Sequence, residues 1–404
     1  MDREQPVRPR HRKRRYAGRH DHIGGSGGGA HGGFPGVGGG YDAHRDFHAC
    51  CARSRTLASD GDLCRPVVKG DRNTGPNAKT RSGDENMDTA TRPARGHGNY
   101  EELIARASEV EPLPTAVAHP CDASSLRGAM DAAQAGFIIP ILVGPTARIR
   151  AVAESEGIDI GDAEIVDTPH SVASAARAVE LVREGRAAFL MKGSLHSDEL
   201  LAAVTARDTG LRTGRRVSHV FLMDVPSYPE PLFVTDAAVN IFPDLDAKRD
   251  IVQNAIDLHV GLGLGRPRVA ILSAVETVTT SIPSTLEAAA LCKMADRGQI
   301  TGADLDGPLA LDNAISPEAA RIKGIVSTVA GRAQILVAPD LEAGNMLAKN
   351  LTFMAGADAA GIVLGARVPI ILTSRADTLK TRLASCAVAV LYAKARQAAP
   401  GLGG

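Results

Sequence analysis

With 404 residues, 46 basic and 46 acidic side chains and a formal net charge of +0, the chain as a whole is no polycation built for nucleic acid or an anionic membrane surface. It holds no run of 18 apolar residues, so no membrane partner is expected, and the charges at its N-terminus have no apolar stretch behind them, unlike a secretory signal. Of six cysteines, Cys121, Cys292 and Cys386 stand singly in the apolar part, which predicts reduced thiols and a cytoplasmic location rather than a disulfide framework.

Residues 1–96 are polar, Gly-rich and punctuated by Pro. Eight Arg or Lys fall within residues 1–20, and eleven of the seventeen residues from Gly24 to Gly40 are Gly. Such a stretch has too little apolar surface to offset its ordering entropy and is expected to be a disordered extension. The basic tip has one functional reading, a nucleic-acid-binding arm. His44, His48, Cys50, Cys51 and Cys64 carry metal-binding atoms, but the adjacent Cys50-Cys51 matches no common zinc spacing. A third reading takes Met87 as the start and the first 86 residues as upstream sequence.

From Tyr100 onward strands and helices alternate. A helix begins at Tyr100, a strand covers Thr115 to His119, a helix capped by Ser124 or Ser125 runs to Gly136, and Phe137 to Val143 is the next strand. A helix over Arg148 to Glu156, a strand over Glu164 to Asp167, a helix from Ser171 to Arg183 and a strand from Ala187 to Met191 follow. This rhythm predicts a parallel sheet with helices on both faces. Val217 to Asp224 and Leu232 to Thr235 break it as two strands separated by Pro226 and Pro229, which suits an antiparallel edge or a crossing between lobes. The alternation then resumes: a helix from Asp246 to Val260, a strand from Val269 to Ala274, a helix from Thr285 to Arg297 with Ser284-x-x-Glu287 as capping box, a strand from Gln334 to Val337, a helix from Met346 to Ala355 and a strand from Gly361 to Leu364. Residues 97–235, completed by 366–400, are expected to form one lobe and residues 236–365 a second.

The segment from Pro369 to Asp377 says most about chemistry. An apolar β-branched run ends at Thr373, Ser374-Arg375 follows, and a helical pattern extends from Ala376 to about Ala395. Free backbone N–H groups, a hydroxyl and a guanidinium then meet at one point, which is an anion site with the Asp377 carboxylate one turn away. Ser374-x-x-Asp377 equally fits a capping box that needs no substrate. Open α/β sheets bind ligands beyond the carboxyl ends of their strands. Other polar groups at such ends are Lys192, Ser194 and His196, then Glu276, then Asp340 with Asn345. The loop from Gly210 to Arg216 adds Arg212, Arg215 and Arg216, either phosphate ligands or a solvated basic loop. Cofactor motifs are not found: Gly261-Leu-Gly263-Leu-Gly265 has the wrong spacing for a dinucleotide loop, there is no Walker loop, and no metal-ligand cluster occurs in this part.

Met191-Lys-Gly-Ser-Leu-His-Ser-Asp-Glu-Leu200, Gly210-Leu-Arg-Thr-Gly-Arg-Arg-Val-Ser-His219 and Pro339-Asp-Leu-Glu-Ala-Gly-Asn-Met346, together with Ser374-Arg375, resemble signatures of the phosphate acetyl/butyryltransferase family. The resemblance covers about residues 100–396. It is nearest to the transferase half of bifunctional enoyl-CoA hydratase/phosphate acetyltransferase proteins, and residues 1–96 are too short and Gly-rich for the hydratase domain. The resemblance implies a two-lobed α/β fold shared with the isocitrate and isopropylmalate dehydrogenases, with the active site in the cleft between lobes. It implies the partners acyl-CoA and phosphate, no metal or other cofactor (coenzyme A being a substrate), and a homo-oligomer. The family's Ser-Arg pair maps onto Ser374 and Arg375, while the acetyl branch's base aspartate falls at Thr381; Asp377 is the acid nearby, with Asp340 and His196 next in line. The resemblance favours acetyl transfer, with butyryl or broader acyl transfer as the alternative. A dehydrogenase on the same fold would need the nicotinamide loop that is not found.

Overall fold

A computed structural model describes residues 98–372, 377–399 and 401–403. Its elements, in chain order, are α1 (Gly98–Ser108), β1 (Leu113–Ala118), α2 (Ala123–Gln134), β2 (Ile138–Gly144), α3 (Thr146–Glu156), β3 (Glu164–Asp167), α4 (Ser171–Arg183), β4 (Phe189–Lys192) and α5 (Ser197–Thr205). Then come β5 (Ser218–Asp224), β6 (Leu232–Thr235), α6 (Leu245–Gly261), β7 (Arg268–Leu272), α7 (Pro283–Asp296), β8 (Asp304–Leu309), α8 (Leu311–Ile315), α9 (Pro317–Ile322), β9 (Ile335–Val337), α10 (Leu341–Phe353), β10 (Asp358–Leu364), β11 (Ile370–Ile371) and α11 (Leu379–Ala398). The disordered reading of residues 1–96 lies outside the described residues.

The described strands form one 11-stranded sheet in the order β3-β2-β1-β4-β11-β10-β5-β6-β9-β7-β8. The first five run parallel, as do the last four. Between them β10 is antiparallel to both β11 and β5, and β5 is antiparallel to β6. The two parallel blocks therefore run in opposite senses, and their carboxyl ends leave the sheet at opposite edges. Of the two arrangements expected of β5 and β6, an antiparallel edge or a crossing, the outer edge is not formed: the antiparallel pair lies inside one continuous sheet, where the two parallel blocks join.

Both faces of each block are covered, as a parallel sheet requires. Along β1, Val117 packs into a core beneath α2 and α11, while Ala116 and Ala118 face the opposite core beneath α4 and α5. On the second block Val269 and Ile271 join the first core, and Ala270 and Leu272 join a third with Leu336 and Ala348. Helix α1 is part of the first core through Tyr100, Leu103 and Ala107.

Three helix starts differ from the sequence reading. Helix α7 begins at Pro283 with no side-chain cap, so the Ser284–Glu287 capping box does not form. Ser284 Oγ instead meets Ser273 Oγ at 2.8 Å, and Glu287 pairs with Lys248. Helix α10 starts at Leu341, several residues before Met346, because Asp340 caps it. Helix α11 starts at Leu379 with Thr378 as cap, so Asp377 lies ahead of this helix rather than in its first turn. Elements α5, β8, α8 and α9 had no counterpart in the sequence reading.

Candidate active site

Chain order reverses at β1. The path runs from β1 outward to β2 and β3, then crosses back through α4 to place β4 on the other side of β1. Such a reversal leaves a crevice outside the carboxyl ends of the two flanking strands, where open α/β sheets bind ligands. Two loops wall it. The β1–α2 loop carries His119, Cys121 and Asp122, and the β4–α5 loop carries Gly193, Ser194 and His196.

The two loops are bonded face to face. Gly193 N donates to Ala118 O at 2.9 Å and Ser194 N to His119 O at 2.8 Å. Ser194 Oγ donates to His119 O at 2.8 Å and accepts from Cys121 N at 3.2 Å. Glycine is required at 193, because a Cβ there would lie 2.3 Å from Ala118 O and 2.5 Å from His119 O. Lys192, buried at the end of β4, donates from Nζ to Gly193 O at 3.3 Å. Strand β11 lies beside β4 in register, Ile370 with Leu190 and Ile371 with Met191, which brings Leu372 alongside Lys192.

Asp377 is half-buried and is followed by Thr378, whose hydroxyl accepts from Thr381 N at 3.2 Å. Arg382, one turn into α11, donates to Ser124 Oγ at 2.5 Å in the first turn of α2. Asp122 caps that helix, accepting from Ser125 N at 2.8 Å. Tyr100 lies near this end too. Its hydroxyl pKa is driven far up, first by burial and then by the charges of Asp358 and Asp377. Cys121 shares the crevice wall, and burial pushes its thiol up to about 11, so it is no nucleophile near neutral pH. Among the described residues no three His, Cys, Asp or Glu side chains converge on a metal position.

The family described as Phosphate acetyl/butaryl transferase matches residues 172–390. A phosphate acetyltransferase of Rhizobium meliloti is 71% identical over 300 residues, spanning 74% of this chain and 95% of that protein. The chain belongs to the phosphate acetyl/butyryl transferase family. A phosphate butyryltransferase of Clostridium acetobutylicum is 41% identical over 73% of this chain and 98% of its own length. Among solved structures, a branched-chain phosphotransacylase from Enterococcus faecalis superposes with a TM-score of 0.62 at 29% identity, covering 70% of this chain and 99% of that one.

Family membership does not gather every residue proposed from the sequence. Ser374 and Arg375 lie outside the described residues. Lys192, Ser194 and Asp377 belong to the edge where β4 and β11 end. Arg212, Arg215, Arg216, Asp340 and Asn345 belong to the edge where β6, β9 and β10 end. There Arg215 pairs with Asp257, and Arg216 Nε donates to Asn240 Oδ1 at 2.9 Å. Asp340 accepts from Ala343 N at 2.8 Å, and Asn345 Nδ2 donates to Ala237 O at 3.0 Å. Arg212 is exposed, its backbone bridged to Ala366. His196 stands at the start of α5, its N–H bonded to Glu199 Oε2 at 2.9 Å. His219 is buried edge-on to Phe221 at 4.3 Å, and burial holds it down at about 4. The sequence reading passed over His119, although it ends a strand as Lys192 does. Listing the end of β1 with the other strand ends was the signal available.

Proposed function

We propose that the protein is a phosphate acetyltransferase that interconverts acetyl-CoA plus phosphate with acetyl phosphate plus CoA. The observation that carries this is the 71% identity to a phosphate acetyltransferase across 95% of that protein's length, against 41% to a butyryltransferase. In the direction of thioester synthesis the CoA thiol loses its proton to a carboxylate, for which Asp377 is the candidate. The thiolate attacks the acetyl carbonyl, the C–S bond forms, the C–O bond to phosphorus breaks, and phosphate leaves with the bonding pair. Arg375 and backbone N–H groups suit the leaving phosphate, and the Ser374 hydroxyl suits the developing oxyanion. Lys192 beside Leu372 adds positive charge to the same edge.

We read residues 97–235 with 366–400, and residues 236–365, as the two lobes of a dehydrogenase-like fold with the reaction between them, in a cytoplasmic homo-oligomer using no cofactor beyond its CoA substrate. Among the described residues no helix is long and apolar enough to cross a membrane. Purified protein given CoA with acetyl phosphate or butyryl phosphate, with thioester formation followed, tests the assignment. Acetyl phosphate is expected to win by about tenfold or more in kcat/KM, the scale set by added methylenes in an apolar pocket. Equal or better use of butyryl phosphate would overturn the acetyl assignment, and no thioester from either would overturn the reaction.

A further inference from the structure

Large exposed apolar side chains cluster on α10 and on the loop at its start. Phe242 and Phe353 are the exposed phenylalanines among the described residues, at 79% and 77%, and Met346 and Met354 are exposed at 65% and 80%. Phe242 follows Ile241, whose carbonyl accepts from Leu341 N at 3.1 Å, so this pair sits where α10 begins. Met346 lies within the helix, Phe353 ends it and Met354 is its C-cap.

The outer face of α10 is a narrow stripe. Gly344 and Ala348 are its buried residues. At 3.6 residues per turn, Glu342, Met346, Lys349 and Phe353 fall within about 60° of one another on the far side. All four are exposed. They recur at the alternating four- and three-residue spacing of a seam between paired helices. Glu342 and Lys349 stand about 10 Å apart along the axis, too far to pair within one helix. Among the described residues neither side chain has an ion-pair or hydrogen-bond partner.

We infer that this stripe is a two-fold interface with a second copy of the chain, the two α10 helices lying antiparallel. The inference rests on the homo-oligomer reading above and gives it a surface. A two-fold interface sets a patch against itself, so the patch must complement its own reverse. The stripe does so in one register, with Glu342 opposite Lys349 of the partner subunit, the reciprocal pair beside it, and Met346 next to the axis. Phe353 then lies about 6 Å past Glu342 of the partner subunit, over the loop that holds the second copy's apolar pair. Centring the stripe on itself instead sets Glu342 against Phe353 and Lys349 against Met346, which strips both charges of water without pairing them. Four phenylalanines, two from each copy, supply about 600–1,000 Å² at roughly 150–250 Å² each. Ile241, Met346 and Met354 from both copies bring this into the range of a stable interface, about 1,200–2,000 Å².

The test is analytical ultracentrifugation of the full chain over a micromolar dilution series, with circular dichroism to confirm folding. The wild type is expected to dimerise. Lys349→Glu sets glutamate against Glu342 at two places, and the dissociation constant should rise by about tenfold to a hundredfold. Combining it with Glu342→Lys reverses both pairs and should restore the dimer. Met346→Arg brings two cations together beside the axis and should also dissociate it. A wild-type dimer that neither Lys349→Glu nor Met346→Arg weakens would overturn this surface and keep the homo-oligomer reading. Weakening by Lys349→Glu that the double variant fails to relieve would overturn the charge pairing and its register. A wild-type monomer throughout would overturn both readings and leave the face to a partner of another kind, while thioester formation by that monomer would leave the proposed reaction standing.

Discussion

Replacing Gly193 by Ala should separate the two loops that wall the crevice. The new Cβ would stand 2.3 Å from Ala118 O, 2.5 Å from His119 O and 2.6 Å from His119 C. All three are backbone atoms that cannot rotate aside, so relief to about 3.2 Å requires a shift of nearly 1 Å by one loop. Overpacking of this kind costs about 1–3 kcal/mol. The shift also stretches the four hydrogen bonds that join the loops, each worth about 1 kcal/mol net. Losing two of them brings the total to about 3–5 kcal/mol, a large share of a typical folding free energy of about 5–15 kcal/mol. Urea denaturation should show a lower midpoint with an unchanged slope. Turnover by the folded fraction should fall by about a hundredfold, since a 1 Å displacement at a reacting centre costs that much. Gly214→Ala is the control: a Cβ there meets nothing within 4 Å, and its stability should stay within about 0.5 kcal/mol of the parent. If Gly193→Ala is destabilised by less than about 1 kcal/mol, the close approach does not constrain the loops and the reasoning fails.

Other perturbations probe the core and the chemistry. Removing the Tyr100 hydroxyl as Tyr100→Phe leaves Ala359 O and Lys380 O without their donor, at 2.9 and 3.1 Å, and should cost about 1–3 kcal/mol by chemical denaturation; no loss would mean that water replaces it. Deleting residues 1–86 should leave melting temperature and turnover nearly unchanged, whereas deletion through Ser108 removes three buried residues of α1 and should prevent folding. Buried His219 and His259 are both held at about 4, below the ordinary 6.5, so below pH 6.5 the unfolded chain takes up protons that the folded one refuses. Stability is then fully present above pH 6.5 and falls toward pH 4 by up to about 1.4 kcal/mol per pH unit for each histidine. Flat urea midpoints between pH 6.5 and 4 would contradict this. Asp377→Asn should lower turnover by about 10²–10⁴-fold with normal folding, the range of general base catalysis; a loss under about tenfold would place the base elsewhere.

The alternation of strand and helix was legible where apolar β-branched runs are uninterrupted, as in β2 and β7. Strand β8 was not, because Asp-Leu-Asp-Gly-Pro-Leu mixes acids, Gly and Pro and takes its strand form from pairing with β7 at the sheet edge. The reversal of order at β1 leaves no local trace either. It follows from which side of β1 the strand after α4 packs, a choice made by tertiary contacts. His119 escaped for the same reason: the partner that fixes its ring is Ser174, 55 positions away.

Asp340 shows a different obstacle. A helix cap and an anion site use the same unpaired N–H groups at a helix start, so a polar residue after a strand fits both. Only the spent or unspent state of its acceptor separates them. Asp122, Asp244 and Asp340 each take an N–H at 2.8 Å from the third residue onward, at Ser125, Ala247 and Ala343. In each case that oxygen is occupied and the first turn has its cap. Asp377 differs from these three in position rather than in chemistry. Thr378 already caps α11, so the Asp377 carboxylate stands outside the helix that the sequence pattern had assigned it.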